Sequence, residues 1–306
     1  MGERLQNEVI GGYKLNYRFY SGQDLYSDGD IEEQMLNICK EKRIDEALRE
    51  GDSWPILYHF SKARENLLEW YEFDRDASLL EIGAGCGALT GLFGRRLARV
   101  VCIELSRRRS LINAYKNADT ASAEIFVGNF EEIELDEQFD YVTLIGVLEY
   151  SKLYLGGNDP FHAMLKKVRG SLKDGGKAII AIENKMGMKY FSGAAEDHTG
   201  VAFDGINNYI NTSGAVTFSK PELTNLLTEC GFENLHFYYP MPDYKLPAVI
   251  YSDSYLPGPG ELRNIKRAYS GTNYQMFDEE TAYDTVCGDN EFPYFANSFL
   301  VIAEKQ

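Results

Sequence analysis

The chemistry-bearing residues of this chain begin in Leu79-Leu80-Glu81-Ile82-Gly83-Ala84-Gly85-Cys86-Gly87-Ala88-Leu89-Thr90. Glycines at the end of a strand let the backbone turn sharply and approach a ligand, and the helix start that follows aims amides outward. Gly83-x-Gly85-x-x-Ala88 satisfies a dinucleotide fingerprint literally. Glu81, however, stands two positions before the first glycine, and a third glycine falls at Gly87, one place earlier than that fingerprint asks. Glu104 ends the run RVVCIE, 23 positions after Glu81. A carboxylate at that place accepts hydrogen bonds from both ribose hydroxyls of a nucleoside ligand; the plainer reading is an exposed strand-end acid. Val127-Gly128-Asn129-Phe130 follows a third apolar run, where the Asn129 amide can accept from an adenine amino group or simply make a turn.

Two further segments hold polar groups suited to a reacting substrate. Leu144-Ile145-Gly146-Val147-Leu148-Glu149-Tyr150 closes a fourth apolar run, and ligand crevices of parallel α/β sheets lie beyond the carboxyl ends of the strands. Glu149 there can orient a substrate and Tyr150 can line a pocket; packing at a helix start explains both equally. After Ile182 come Glu183, Asn184, Lys185, Lys189, Glu196, Asp197 and His198. His198 is the candidate general base, since imidazole titrates near neutral pH and the adjacent Asp197 can fix its tautomer. A loop hydrogen bond between Asp197 and His198 is the bland counterpart. Glu196, Asp197, His198 and Asp204 offer oxygens and an imidazole, but no spacing among them is diagnostic, so no metal is assigned. Arg64 can grip a carboxylate bidentately or pair with a nearby acid. Tyr238, Tyr239, Tyr244, Tyr251 and Tyr255, mixed with Asp and Ser, suit a sugar, though tyrosines also belong to core edges.

Elements that position these groups follow from periodicity. Asp30 caps a helix through about Glu50, and a second helix runs from Ser61 to about Tyr71. Strands are expected at Ser78–Ile82, Arg99–Glu104, Glu124–Val127, Tyr141–Val147 and Lys177–Ile182, and later at Asn234–Tyr239 and Ser298–Ala303. Helices alternate with them at Ala88–Leu97, from Ser106 to about Lys116, at Phe161–Leu172 and at Pro221–Cys230. Near-continuous apolar strands separated by helices imply a parallel sheet covered on both faces. Residues 185–218 and 241–295 break the alternation and read as functional insertions.

Composition sets outer limits. The chain has 306 residues, 44% of them apolar, and its 47 acids against 31 bases give a net charge of −16. Such a field repels phosphate backbones, so nucleic acid is not an expected partner. No window of about 18 apolar residues exists to span a membrane, and the first residues lack an apolar signal core. Five scattered cysteines without a CxxC read as free thiols in a reducing cytoplasm.

The Glu81-x-Gly83-x-Gly85-x-Gly87 arrangement resembles the first motif of class I S-adenosylmethionine (SAM)-dependent methyltransferases. In that family the turn packs against the amino-acid part of the cofactor, with the leading carboxylate close by. Gly128-Asn129-Phe130 resembles the segment flanking the adenine, with Asn129 where an acid is common, and Gly146–Tyr150 resembles the motif facing the transferred methyl group. The resemblance implies that Glu81, Gly83, Ala84, Gly85, Gly87, Glu104, Leu105, Asn129, Phe130 and Gly146, together with Arg64, hold SAM and its product S-adenosylhomocysteine. It implies a Rossmann-like three-layer α/β fold with a mostly parallel seven-stranded sheet and an antiparallel last strand. Residues 1–75 are then a helical cover and 76–306 the methyltransferase domain. YSDGDIE, YHFSKARENLLEW, IENKMGMKYFSGAAEDHTG, TFSKPEL and YYPMPDYKLP look like elements of bacterial methyltransferases found alone or joined to glycosyltransferases in surface-polysaccharide gene sets. That likeness implies O-methylation of a sugar hydroxyl in the cytoplasm, with His198, Asp197 and Glu149 as catalytic candidates and a glycosyltransferase as partner. Two alternatives stand beside it: an NAD-dependent oxidoreductase using the same turn, and a SAM-binding partner protein that has lost catalysis.

Overall fold

A computed structural model describes residues 5–51, 53–119, 121–210, 212, 214–265 and 274–306. The chain forms two units, Met1–Leu144 with Ser171–Gly176, and Ile145–Gly170 with Lys177–Gln306. Part of the expected second insertion, residues 266–273, lies outside the described residues. None of the described helices is long and apolar enough to cross a membrane.

The first unit starts with a hairpin, β1 (Glu8–Ile10) and β2 (Gly12–Asn16), then the helices α1 (Ile31–Lys40), α2 (Ile44–Glu50) and α3 (Trp54–Phe60) and a 3₁₀ turn at Lys62–Leu67. Alternation follows: β3 (Ser78–Ile82), α4 (Thr90–Arg96), β4 (Arg99–Glu104), α5 (Arg107–Asn117), β5 (Ser122–Val127) and β6 (Phe139–Ile145). Its strands lie in the order β1-β2-β5-β4-β3-β6, parallel throughout except for the hairpin. Successive residues of a strand point to opposite faces, and Leu79 and Leu80 are both fully buried, as are Val101 and Cys102. This sheet is therefore covered on both sides. Ser106 caps α5 as expected, accepting from the Arg109 amide.

In the second unit come α6 (Ser151–Tyr154), α7 (Pro160–Ser171), β7 (Leu172–Glu183), α8 (Met188–Phe191), α9 (Lys220–Glu229), β8 (Phe232–Met241), β9 (Val249–Ser252), α10 (Glu279–Gly288), α11 (Phe292–Phe295) and β10 (Ser298–Lys305). Strands run β7-β10-β8-β9, with each neighbouring pair antiparallel. The last strand is thus antiparallel, as expected, and it brings Ser298 opposite Glu183 at the end of β7.

Several expectations need correction. Among the described residues the strands number ten, not seven; the additional ones are β1 and β2 from the N-terminal segment and β9 from the second insertion. Residues 1–75 are therefore not purely helical, and β2 pairs with β5. The helix expected from Asp30 to Glu50 is two helices, because Lys42 turns left-handed (φ 57°) after α1. Asp30 makes no side-chain cap bond there. The helix expected after Ser61 is a short 3₁₀ turn, preceded by an unforeseen α3.

Candidate active site

The glycine turn after β3 belongs to the first unit. Gly83, Gly85 and Gly87 all have positive φ (70°, 53° and 74°), a conformation glycine adopts without steric cost. Their neighbours separate their roles. A Cβ on Gly85 would meet nothing nearer than the Gly83 carbonyl oxygen at 4.0 Å, so the backbone there borders open space. A Cβ on Gly87 would collide with the side-chain amide of Asn113 on α5, so this glycine serves helix packing. Ala84 is buried and Leu105 half-buried beside them.

Glu104, 4% exposed at the end of β4, is held by two backbone amides. Gly85 N donates to Oε2 at 2.7 Å and Ser106 N to Oε1 at 2.9 Å. Burial raises its pKa, opposed by Arg109 and these amides. Each carboxylate oxygen keeps a lone pair for a further donor. An oriented strand-end carboxylate beside an open glycine backbone fits the ribose and adjoining part of a nucleoside cofactor.

Glu81 points inward instead. Its Oε2 accepts from the Thr90 hydroxyl at 2.6 Å and lies 3.5 Å from Cys102 Sγ, and Thr90 in turn accepts from Asn113. Desolvation pushes its pKa up to about 7 against those hydrogen bonds. The side chain thus ties β3 to β4 and the start of α4. After β5, Asn129 caps a 3₁₀ turn by accepting from Glu131 N, Phe130 is buried, and Gly128 lets the Phe19 backbone pass closely. Arg64 is buried, with its guanidinium 4.4 Å from the Tyr58 ring centroid.

Sequence reasoning missed several neighbours of the turn. Lys116 donates to Gly87 O and His59 O, and burial lowers its pKa to about 8. Arg109 pairs with Asp28 at 2.9 Å and with the fully buried Glu32 at 3.3 Å, under Tyr26. A basic residue on a helix carries no sequence signal that distinguishes such burial from solvent exposure.

The second unit gathers a different cluster. Glu149 sits just beyond β6 and is 1% exposed; neither carboxylate oxygen has a hydrogen-bond partner. Val216 N donates to its backbone carbonyl at 3.0 Å and fixes that turn. Glu149 Oε1 lies 3.6 Å from His198 Nε2, and Glu183 Oε2 lies 3.8 Å from the same nitrogen. Gly146 (φ 68°) leaves room for the Tyr244 hydroxyl. Tyr150 packs its ring edge against His198, with centroids 5.3 Å apart.

Asp197 does not hold His198. Glu196 does, with Oε1 3.0 Å from Nδ1 while its other oxygen accepts from the His198 and Thr199 amides. Burial works against charge on His198, but Glu183, Glu149 and Glu196 outweigh it and push its pKa up to about 11. Asp197 faces elsewhere, toward Lys189 at 2.7 Å, Lys245 at 2.8 Å and the Tyr190 hydroxyl at 2.6 Å. Lys189 is fully buried between Asp197 and Asp243, and Lys245 also reaches Glu183 at 2.5 Å. Of the four groups first weighed for a metal, Asp204 is engaged with Thr212, and only His198 joins the convergent trio of Glu149, Glu183 and His198. Glu183 closes β7 as Glu104 closes β4, and a strand-end acid after an apolar run is the signal that marks it in the sequence.

The tyrosines expected to stack on a sugar are largely core residues. Tyr239, Tyr244 and Tyr251 are buried, Tyr239 among Phe292 and Phe299, while Tyr255 is 65% exposed.

Residues 80–178 match a family model described as a methyltransferase domain. This segment is a methyltransferase domain, and the chain is an enzyme with SAM as its cofactor. The match spans the glycine turn, Glu104, Gly128–Phe130 and Gly146–Tyr150. No curated protein matches the chain. Among solved structures, a phosphoethanolamine N-methyltransferase from Haemonchus contortus is similar at a TM-score of 0.51 and 12% identity, over 92% of this chain and 51% of that one. A possible histamine N-methyltransferase from Thermotoga maritima gives 0.46 and 18%, over 89% and 99% of the two chains. The N-methyltransferase NodS of Bradyrhizobium japonicum, solved with S-adenosylhomocysteine, gives 0.41 and 17%, over 64% and 86%. At these identities the likeness concerns the fold.

Proposed function

We propose that this methyltransferase moves the methyl group of SAM to a hydroxyl oxygen of a small polyol or glycan precursor, with Glu149 taking the hydroxyl proton. The observation that carries this reading is the Glu149 carboxylate: buried, without hydrogen-bond partners, and placed just beyond β6 next to Glu183. When bound, SAM supplies an electrophilic methyl group on a positive sulfur and leaves as S-adenosylhomocysteine. Glu149 offers two acceptor oxygens to the hydroxyl donors of a polyol. Burial, reinforced by Glu183, raises its pKa, which makes it a stronger base than an exposed carboxylate.

His198 is a positioning residue in this scheme. With no metal ion bound, three glutamates keep it protonated at neutral pH, so it holds Glu149 and Glu183 together and does not itself accept the proton. Asp197 positions Lys189 and Lys245. Because Lys185, Lys189 and Lys245 are each paired with a carboxylate, none is offered to a polyanionic acceptor. The glycan class, and a glycosyltransferase as partner, rest on the likeness of YSDGDIE, IENKMGMKYFSGAAEDHTG and YYPMPDYKLP to polysaccharide-associated methyltransferases.

Incubation with methyl-labelled SAM and panels of sugars, sugar nucleotides and amines tests the proposal. Label on a hydroxyl is expected, with Glu149→Gln lowering kcat about 10²–10⁴-fold at unchanged SAM affinity. Label confined to amines, or full activity in Glu149→Gln, would overturn it.

A further inference from the structure

We propose that Glu149, Glu183 and His198 bind a divalent transition-metal ion of the Mn²⁺ or Zn²⁺ class, leaving coordination positions open for an acceptor oxygen. The role for the acceptor rests on the hydroxyl-transfer reading above; the ion site itself does not.

Geometry is the first ground. Metal–ligand bonds near 2.1 Å with angles between 90° and 109° place donor atoms about 3.0–3.4 Å apart. His198 Nε2 lies 3.6 Å from Glu149 Oε1 and 3.8 Å from Glu183 Oε2, so a contraction of a few tenths of an ångström brings the imidazole into ligand spacing with each carboxylate. All three ligand atoms lie within 4.8 Å of one another.

Glu149 supplies the second ground. A buried carboxylate without a hydrogen bond loses its hydration and gets nothing back unless a proton or a cation replaces it. Neither Glu149 oxygen has a hydrogen bond, Oε1 facing the His198 ring at 3.6 Å, and the side chain is aimed at Glu183 and His198. Charge counting agrees. Glu149, Glu183, Glu196, Asp197 and Asp243 stand against Lys189, Lys245 and His198, so the cluster carries −2 even with the imidazole protonated. An ion ligated by Nε2 takes the place of the imidazole proton, so binding of a divalent cation brings the cluster from −2 to −1.

Outer partners are also in place. A ligating histidine usually gives its other ring N–H to a carboxylate, and Glu196 Oε1 lies 3.0 Å from His198 Nδ1. The Glu196 carboxylate is itself fixed by two backbone amides and the Tyr209 hydroxyl. Lys245 occupies Glu183 Oε1, leaving Oε2 as the oxygen nearest His198. Two carboxylates with one imidazole suit Mn²⁺ or Zn²⁺ better than Ca²⁺, which prefers an all-oxygen shell.

The test is direct metal binding by the full chain. After chelation and dialysis, Mn²⁺ binding is followed by electron paramagnetic resonance and calorimetry in wild type, Glu149→Gln and His198→Ala, with SAM affinity measured on the same samples. The expected result is one Mn²⁺ per chain, weakened at least about tenfold in both variants while SAM affinity stays within about twofold, since even outer-shell partners are worth that much. Equal Mn²⁺ binding in all three proteins, or no binding by wild type, would overturn the site and leave an imidazolium bridging the two glutamates. Loss of SAM binding in wild type would instead count against the methyltransferase reading, so the two failures are distinct.

Discussion

Glu81 gives the most quantitative test of how the cofactor turn is built. Its carboxyl is buried at the end of β3 and its pKa is pushed from 4.5 to about 7 by desolvation. A carboxyl whose folded pKa exceeds its unfolded value favours the folded state only while protonated. That contribution is complete below about pH 4.5 and is lost as pH rises through about 7. The rise from 4.5 to about 7 corresponds to about 3 kcal/mol. By linkage, about 1 kcal/mol is already lost at pH 5.5, leaving about 2 kcal/mol between pH 5.5 and 8. Glu81→Gln keeps a carbonyl oxygen for the Thr90 hydroxyl but cannot ionise. Urea denaturation of both proteins at several pH values should show the variant gaining on wild type by about 2 kcal/mol between pH 5.5 and 8, or about 3 °C in Tm. A stability difference that stays constant across that range would refute the reasoning, because Glu81 would then titrate as an exposed acid.

Three other substitutions follow from the geometry. Gly85→Val puts a branched side chain into the open space beside Glu104 at a positive φ, so SAM affinity by calorimetry should fall at least about 100-fold, a loss of about 2.7 kcal/mol. Gly87→Ala drives a Cβ into Asn113, and unfolding should show a loss of about 2 kcal/mol or more, with activity recovering at low temperature. Lys189→Met leaves Asp197 and Asp243 without their buried cation, and denaturation should report a loss of roughly 3–5 kcal/mol.

What was legible depended on whether the signal is local. β3 and β4 were read with their observed bounds, because continuous apolar runs ending at glycines or an acid have no competing period. The same local signal placed Gly85 and Glu104 together, and a 2.7 Å hydrogen bond now joins them. β1, β2 and β9 escape sequence reading because short strands of three to five residues carry too little periodicity to stand apart from loops. The pairing of His198 went to the adjacent Asp197 in sequence but to Glu196 in space, since the turn at Glu196–Thr199 folds the earlier carboxylate back onto the ring. The tyrosine-rich second insertion looked like a ligand surface because aromatic composition does not reveal burial; packing of Tyr239 against Phe292 and Phe299 decides it.

We propose that the turn at Gly83–Gly87 with Glu104 binds SAM and that the chain transfers its methyl group. Calorimetric titration of SAM, S-adenosylhomocysteine and NAD into wild type and Gly85→Val tests this most directly. Saturable binding of SAM and S-adenosylhomocysteine to wild type is expected, with none of NAD and loss of both in the variant. Binding of NAD alone, or undiminished SAM affinity in Gly85→Val, would contradict it.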